Sequence, residues 1–257
     1  MARTLKQKLA QREPVKGLFC CSYSPQAVEA LGDMGWDFLL FDNEHTPNNA
    51  INLHHQLCAL KGTGTEPVLR LPVIDEFVIK SALDLGVKAL MLPNVNTAQD
   101  VERLVRHAFY PPIGRRGIGG TMRATRYGKD KAYLSEANQD ICLLVQIESV
   151  QAVEGLDAIL NASDRIDGVF VGPHDLAADM GLLGQPTHPQ VVQRCVQAIE
   201  RAHSRGVPAG ILCAPSDIPV FRAAGASVFV LGSDLGLMVQ GASQCLNGFP
   251  QFLEKKD

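Results

Sequence analysis

Two carboxylates in this sequence, Glu148 and Asp175, lie just beyond apolar runs that have the composition of β-strands. The runs are residues 141–147 and 168–171, and residues 149–161 between them have a helical pattern. The segment is therefore predicted to be strand–helix–strand. In parallel α/β folds the carboxyl ends of the strands meet on the ligand-binding face. Two carboxylates converging there, with water and a chelating substrate, predict a divalent-cation site.

A second polar cluster follows the predicted strand 38–42, where Asp42, Glu44 and His45 stand close together. His45 is the best candidate for a general base, because an ordinary histidine pKa near 6.5 suits proton transfer at neutral pH. A purely structural hydrogen-bonding role is the alternative for any single histidine. Asp42 and Glu44 are also possible metal ligands, so spacing alone does not assign the metal to Glu148 and Asp175.

Arg70 ends the next apolar run, residues 67–70. Burying an unpaired guanidinium is costly, so we expect Arg70 to face the pocket and bind a carboxylate or a developing oxyanion. A structural ion pair with a nearby acid is the competing interpretation. Asp84 lies in a helical pattern, and its periodicity indicates nothing beyond a solvated acid.

The segment that begins Gly172-Pro173-His174-Asp175 is predicted to open a helix just after a strand. Free backbone N–H groups at a helix start favour an anion such as a substrate carboxylate. Asp175 could instead simply cap that helix, and its partnership with Glu148 is the reason to expect more.

Strand-like runs alternate with helical segments along the whole chain, which predicts a single (β/α)₈ TIM barrel over residues 1–257. An open dinucleotide-binding sheet is disfavoured, because no Gly-x-Gly-x-x-Gly follows the first strand. The predicted strands are residues 16–21, 38–42, 67–70, 89–92, 141–147, 168–171, 208–212 and 227–231. The predicted helices are residues 25–34, 50–60, 78–85, 98–107, 150–160, 191–204 and 218–224.

A Gly-, Pro- and Arg-rich segment, residues 109–127, interrupts this alternation. A loop of this length is usually functional, so it is expected either to cover the mouth of the site, with Arg116 or Arg123 meeting anionic groups, or to form a surface Ω-loop.

The net charge of −3 does not indicate the basic surface that nucleic-acid binding requires. No run reaches the roughly 20 apolar residues of a membrane span. Seven scattered cysteines without metal-ligand spacing predict buried thiols in a reducing cytoplasm.

From about residue 5 to the C-terminus, the sequence resembles the HpcH/HpaI aldolase family, the metal-dependent (class II) pyruvate aldolases. The resemblance is carried by segments that begin at Asp42 (DNEHTPNN), Arg70 (RLP), Leu92 (LPN), Tyr110 (YPPIGRRG), Val145 (VQIES) and Val171 (VGPHDLA). The family that the sequence resembles includes the 4-hydroxy-2-oxoheptanedioate and 5-keto-4-deoxy-glucarate aldolases.

The resemblance implies a role for each candidate. His45 would be the acid/base, Arg70 would stabilise the transition state, and Asp84 would raise the basicity of His45. Glu148 and Asp175 would hold the metal. The substrate site would be lined by Gln146, Gly172, Pro173, His174 and Asp175. His174 is a departure, since relatives usually carry Ser or Ala there.

The expected reaction is reversible cleavage of a 4-hydroxy-2-oxo acid to pyruvate and an aldehyde, with Mg²⁺, Mn²⁺ or Co²⁺ stabilising a pyruvate enolate and no organic cofactor. The resemblance also implies a homohexamer, a trimer of dimers with an exchanged C-terminal helix. Two alternatives are an enzyme similar to citrate or malyl-CoA lyases, acting on acyl-CoA thioesters, and a non-catalytic barrel that binds a small acid.

Overall fold

Eight parallel strands close into a barrel in sequence order, each hydrogen-bonded to the next and the eighth to the first. The structure is a computed structural model and describes residues 3–253. This architecture confirms the predicted (β/α)₈ barrel, and every predicted strand is present with ends shifted by two residues at most. The strands are β1 (Val15–Cys20), β2 (Phe38–Asp42), β3 (Glu66–Arg70), β4 (Ala89–Leu92), β5 (Cys142–Ile147), β6 (Gly168–Val171), β7 (Ala209–Leu212) and β8 (Ala226–Ser233).

Helices form the outer layer, and most of them begin after the carboxyl end of a strand. The single helix predicted for residues 150–160 is wrong in detail, because Gly155 leaves the helical conformation and divides it in two. Helices in the described residues are α1 (Leu5–Ala10), α2 (Pro25–Gly32), α3 (Ala50–Ala59), α4 (Glu76–Asp84), α5 (Ala98–Ala108), α6 (Tyr133–Asp140), α7 (Val150–Glu154), α8 (Leu156–Asn161), α9 (Pro173–Asp179), α10 (Pro189–Ser204), α11 (Ile218–Ala223) and α12 (Asp234–Leu253).

The near-continuous apolar character of the strands follows from burial on both faces. One set of side chains packs against the helices, and a second cluster fills the barrel interior. Gly17 is needed beside this interior, since a Cβ there would lie 2.2 Å from the Phe38 ring. Helix α1 closes the amino end of the barrel with Leu5 and Leu9, both fully buried members of the interior cluster.

The segment 109–127 lies at the amino ends of the strands, so the expectation that it covers the site is wrong. It connects α5 to α6 and β5, and such a connection returns the chain to the start of the next strand. Its two candidate arginines are structural. Arg116 is buried and donates to Asp84, whereas Arg123 donates to the carbonyls of Leu85 and Leu57.

The seven cysteines are free, and Cys20, Cys142 and Cys195 are buried as expected. Cys58 and Cys245 are exposed, so burial does not extend to every thiol. None of the helices described between residues 3 and 253 combines the length and apolar character of a membrane span.

Candidate active site

A cavity of about 400 Å³ opens at the carboxyl ends of the strands, the face where barrel enzymes carry their chemistry. Strand ends and the loops after them supply its lining. Of the nine predicted site residues, Glu148 and Asp84 lie outside this lining. The other seven are brought together there: His45, Arg70, Gln146, Gly172, Pro173, His174 and Asp175.

Arg70 is held by two acids at the end of β2. It stands directly opposite Asp42 in the strand register. Its Nε and Nη2 donate to the two carboxylate oxygens of Asp42 at 2.9 and 2.8 Å, and its Nη1 lies 3.0 Å from Glu44 Oε2. The structural ion pair considered from sequence is therefore present. A guanidinium has five N–H donors and Asp42 takes two of them, so Arg70 keeps donors for an anionic group in the cavity.

Electrostatics keep this pair charged. Burial opposes ionisation of Asp42, but hydrogen bonds from Arg70 outweigh it and hold the pKa of that carboxyl below its usual range. Burial likewise disfavours the charged guanidinium, yet Asp42 and Glu44 raise the pKa of Arg70 above its ordinary value. The Phe19 ring lies 4.8 Å from the guanidinium carbon and adds a cation–π contact.

His45 is solvent-accessible at the mouth of the cavity, with 62% of its side chain exposed. Its Nε2 lies 3.6 Å from Glu44 Oε2, and its backbone N–H points to Asp42 Oδ1 at 3.4 Å. Within this chain, the carboxylate beside His45 is thus Glu44. An imidazole beside a carboxylate and open to the cavity is suitably placed to exchange a proton.

Within one chain, the fold does not place Asp84 beside His45. It is the last residue of α4, which runs from the carboxyl ends of the strands back to their amino ends, whereas His45 follows the carboxyl end of β2. Its carboxylate accepts from Arg116 at 2.8 Å instead. The role implied for Asp84 by resemblance therefore has no support from the contacts of a single chain.

Glu148 is buried immediately beyond β5, with 5% of the residue exposed. The backbone N–H of Asn94 donates to Oε1 at 2.7 Å, and Gln146 Nε2 donates to Oε2 at 2.7 Å. Burial raises the pKa of Glu148 to about 7, with further contributions from the negative charges of Asp175 and Glu44. These acids are consequently close enough to repel one another.

The donor set suits a divalent cation. Glu44, Glu148 and Asp175 concentrate negative charge beside a cavity whose lining includes one guanidinium, that of Arg70. Gln146 Oε1 is buried and has no hydrogen-bond partner. Within residues 3–253, no three His, Cys, Asp or Glu side chains gather as a complete metal cluster. Two carboxylates with positions left for substrate and water match Mg²⁺-like coordination.

Helix α9 begins at Pro173, and no side-chain cap accepts from its first-turn N–H groups. Asp175 lies in that first turn and is exposed, in contrast to Glu148. It caps no N–H group there, so the simple capping role is not what the structure shows.

A larger cavity of about 640 Å³ adjoins the first and shares Pro173, His174, Leu212, Gly232 and Ser233 with it. Its other walls are mostly apolar and come from the segments around the ends of β7 and β8 and from the start of α10 with the loop before it. The lining described contains no lysine or arginine, which disfavours the phosphate site often found at this place in barrels.

Asn94 is a site residue that sequence reasoning missed. It follows Leu92-Pro93 at the end of β4 and has a left-handed backbone, with φ +55°. The Pro-Asn pair signals a turn, and asparagine tolerates this conformation better than most residues. Its contact with Glu148 joins residues 54 positions apart and could not be read from spacing.

The closed barrel and the cavity at its carboxyl-end face are the architecture of a barrel enzyme. Residues 16–241 match the HpcH/HpaI aldolase/citrate lyase family. The chain belongs to this family and is an aldolase, a carbon–carbon lyase of the aldehyde-lyase class.

Named relatives cover nearly the whole chain. A hydroxypyruvate/pyruvate aldolase of Roseobacter denitrificans is 38% identical over 92% of this chain and 93% of its own. A 5-keto-4-deoxy-D-glucarate aldolase of Salmonella arizonae is 39% identical over 95% of each chain. A solved HpcH/HpaI aldolase/citrate lyase family protein from Burkholderia cenocepacia superposes with a TM-score of 0.92 at 33% identity, covering 96% of this chain and 98% of its own.

Proposed function

We propose that this aldolase cleaves 4-hydroxy-2-oxo acids reversibly to pyruvate and an aldehyde, with a divalent cation held by Glu148 and Asp175. The observation that carries the proposal is the buried carboxylate of Glu148, whose pKa is raised by burial and by neighbouring acids, beside a cavity that holds Arg70 and His45. A cation at this point offsets the clustered negative charge.

Glu148 and Asp175 would hold the cation through carboxylate oxygens beside the bound 2-oxo acid. When bound, Mg²⁺, Mn²⁺ or Co²⁺ provides Lewis acidity that draws electrons from the keto group. The unpartnered Oε1 of Gln146 is available to a donor of the bound ligand. The uncapped first turn of α9 is available to the substrate carboxylate.

His45 accepts the proton of the 4-hydroxyl as the C3–C4 bond breaks and the aldehyde leaves, and C3 then takes up a proton to complete the methyl group of pyruvate. Its exposed ring permits exchange of that proton with solvent between turnovers. Arg70 directs its remaining N–H donors at the oxygen where charge develops. Asp42 and Glu44 fix the guanidinium for this task.

A Schiff-base route is disfavoured by the residues present. The lining of the cavity contains no lysine among the described residues. Lys80 belongs to α4, and Lys88 pairs with Asp140 before β4 begins. Sodium borohydride added with pyruvate should therefore not inactivate the enzyme, and a trapped covalent adduct would reject the mechanism.

The aldehyde portion has room in the adjoining 640 Å³ cavity, with His174 at the junction. The names of the relatives specify sugar-acid and hydroxypyruvate substrates. Because the second cavity of this chain is mostly apolar, the substrates assayed should also include compounds that release alkyl and aromatic aldehydes.

The first prediction tests the assignment of the cation. EDTA should abolish pyruvate release from a panel of 4-hydroxy-2-oxo acids, and Mn²⁺, Mg²⁺ or Co²⁺ should restore it. Glu148→Gln should lower kcat/KM by more than about 100-fold, because a charged ligand is lost. Pyruvate release is followed by a coupled dehydrogenase assay.

Full activity in EDTA would contradict the metal-dependent mechanism. Turnover that required coenzyme A thioesters would favour the lyase alternative instead. Tight binding of a 2-oxo acid without any metal-stimulated turnover would indicate a binding barrel.

A further inference from the structure

The carboxylate of Glu148 lies between the ends of β4 and β6, and two backbone groups hold it there in addition to the Gln146 side chain. Asn94, after β4, donates its backbone N–H to Oε1 at 2.7 Å. Gly172, after β6, lies against the opposite oxygen. A Cβ built on Gly172 would be 2.5 Å from Glu148 Oε2 and 2.8 Å from Glu148 Cβ.

The backbone of Gly172 is tied to the strand that carries Glu148. Its backbone N–H donates to the carbonyl of Ile147, the residue before Glu148, at 3.2 Å. A side chain at position 172 would therefore force the Glu148 side chain out of its present place. The constraint concerns the missing Cβ, since Gly172 has φ −96°, which other residues readily adopt.

Asn94 presents its N–H to Glu148 because its backbone is left-handed, with φ +55°. A second link fixes this conformation. The Asn96 side chain donates to the Asn94 carbonyl at 3.1 Å and accepts from the Ser149 hydroxyl. Ser149 directly follows Glu148, so both backbone groups of Asn94 are tied to the end of β5.

We propose that Asn94 and Gly172 are positioning residues that together set the carboxylate of Glu148, Asn94 through its left-handed N–H and Gly172 through the absence of a Cβ. Neither side chain needs to touch the ligand. The inference rests on the proposed function in that the probe is the cation expected at Glu148. Strained backbone beside a functional carboxylate is a known device of active sites.

The test of Gly172 is the affinity of the metal-free enzyme for Mn²⁺, measured by titration calorimetry. Gly172→Ala should weaken Mn²⁺ binding on the order of 10–100-fold, as displaced supports of metal ligands do. Gly64→Ala is the matched control, because a Cβ at this exposed glycine meets nothing within 4 Å. Circular dichroism shows that each variant is folded.

The test of Asn94 compares two residues with opposite backbone preferences. Valine resists a positive φ, whereas glycine adopts it freely and keeps the N–H. Asn94→Val should weaken Mn²⁺ binding by a similar factor, and Asn94→Gly should restore it. Arg12→Val is the control for strain alone, since Arg12 has φ +53° in the turn between α1 and β1, at the amino end of the barrel.

The outcomes separate the two proposals. If Glu148→Gln leaves Mn²⁺ affinity unchanged, the cation is not held there and the proposed function fails. If Glu148→Gln loses affinity while folded Gly172→Ala and Asn94→Val bind as the parent does, the positioning role is overturned and the proposed function stands. Equal losses in Asn94→Gly and Asn94→Val would overturn the backbone argument.

Discussion

At the scale of single residues, the environment of Arg70 explains how one guanidinium can be both structural and catalytic. Asp42 takes two of its donors, which fixes the plane of the group, and Glu44 adds an ion pair. The remaining donors are already held in place when the substrate arrives. Preorganised donors of this kind stabilise developing charge without a cost of reorientation.

The second prediction concerns this buried pair, in which the side chains of Arg70 and Asp42 are 10% and 2% exposed. Asp42→Asn should destabilise the protein by about 3 kcal/mol and lower kcat, because it leaves a buried guanidinium short of charge compensation. Chemical denaturation and steady-state kinetics measure the two effects.

Asp164→Asn provides a control, because the Asp164 side chain is 88% exposed and that of its partner Arg165 is 37% exposed. We expect its effect on stability to stay below about 0.5 kcal/mol. A stable and fully active Asp42→Asn variant would contradict the assignment of Asp42 as the support of Arg70.

At the scale of elements, α1 acts as the closure of the amino end of the barrel. Its buried leucines fill the interior, and Lys8 donates to Asp37 Oδ1 at 2.7 Å just before β2. The backbone N–H of Lys16 in β1 donates to Asp37 Oδ2 at 2.9 Å. One carboxylate thus joins a helix to two strands.

The third prediction follows from the pKa of Asp37. Burial alone would raise it, but the hydrogen bonds from Lys8 and Lys16 outweigh burial and hold the folded-state pKa below its usual range. A depressed folded-state pKa stabilises the protein above the unfolded pKa of about 3.9, and this stability is lost as the pH falls through the folded value.

Asp37→Asn should accordingly cost about 2 kcal/mol near pH 7, and this cost should shrink as the pH falls through the folded-state pKa and the parent carboxyl becomes protonated. Urea denaturation at several pH values measures the difference. Asp33→Asn, at an exposed position after α2, is the control. A cost that did not vary with pH would show that the charge of Asp37 is not the source of the stability.

At the scale of the whole molecule, α12 is the element that one chain leaves uncovered. Six apolar side chains along it are substantially exposed: Leu235, Leu237, Met238, Val239, Leu246 and Phe249. Apolar surface of this extent on a single helix usually marks an interface. The homo-oligomer expected from the family, with an exchanged C-terminal helix, would cover it.

The fourth prediction tests that assembly. A double variant, Met238→Glu with Leu246→Glu, should shift the protein from an oligomer toward the monomer, because two charges would have to be buried at the interface. Sedimentation equilibrium measures the mass. Glu154→Gln, on the exposed surface of α7, should leave it unchanged. A parent protein that sediments as a monomer would remove the expectation altogether.

The sequence by itself determined the barrel and the ends of its strands. Apolar runs of strand length alternating with helical segments depend on local periodicity, and each site residue at a strand end could be assigned to the same face. His45, Arg70, Gln146 and Asp175 reach one cavity for that reason.

Only the tertiary structure decided which of these groups touch. Asp42 meets Arg70 through the register of β2 and β3, and Asn94 supports Glu148 across 54 positions. Asp84 pairs with Arg116 at the amino end, far from His45. Such pairings depend on barrel closure and on loop conformation, and no local pattern of residue types specifies either.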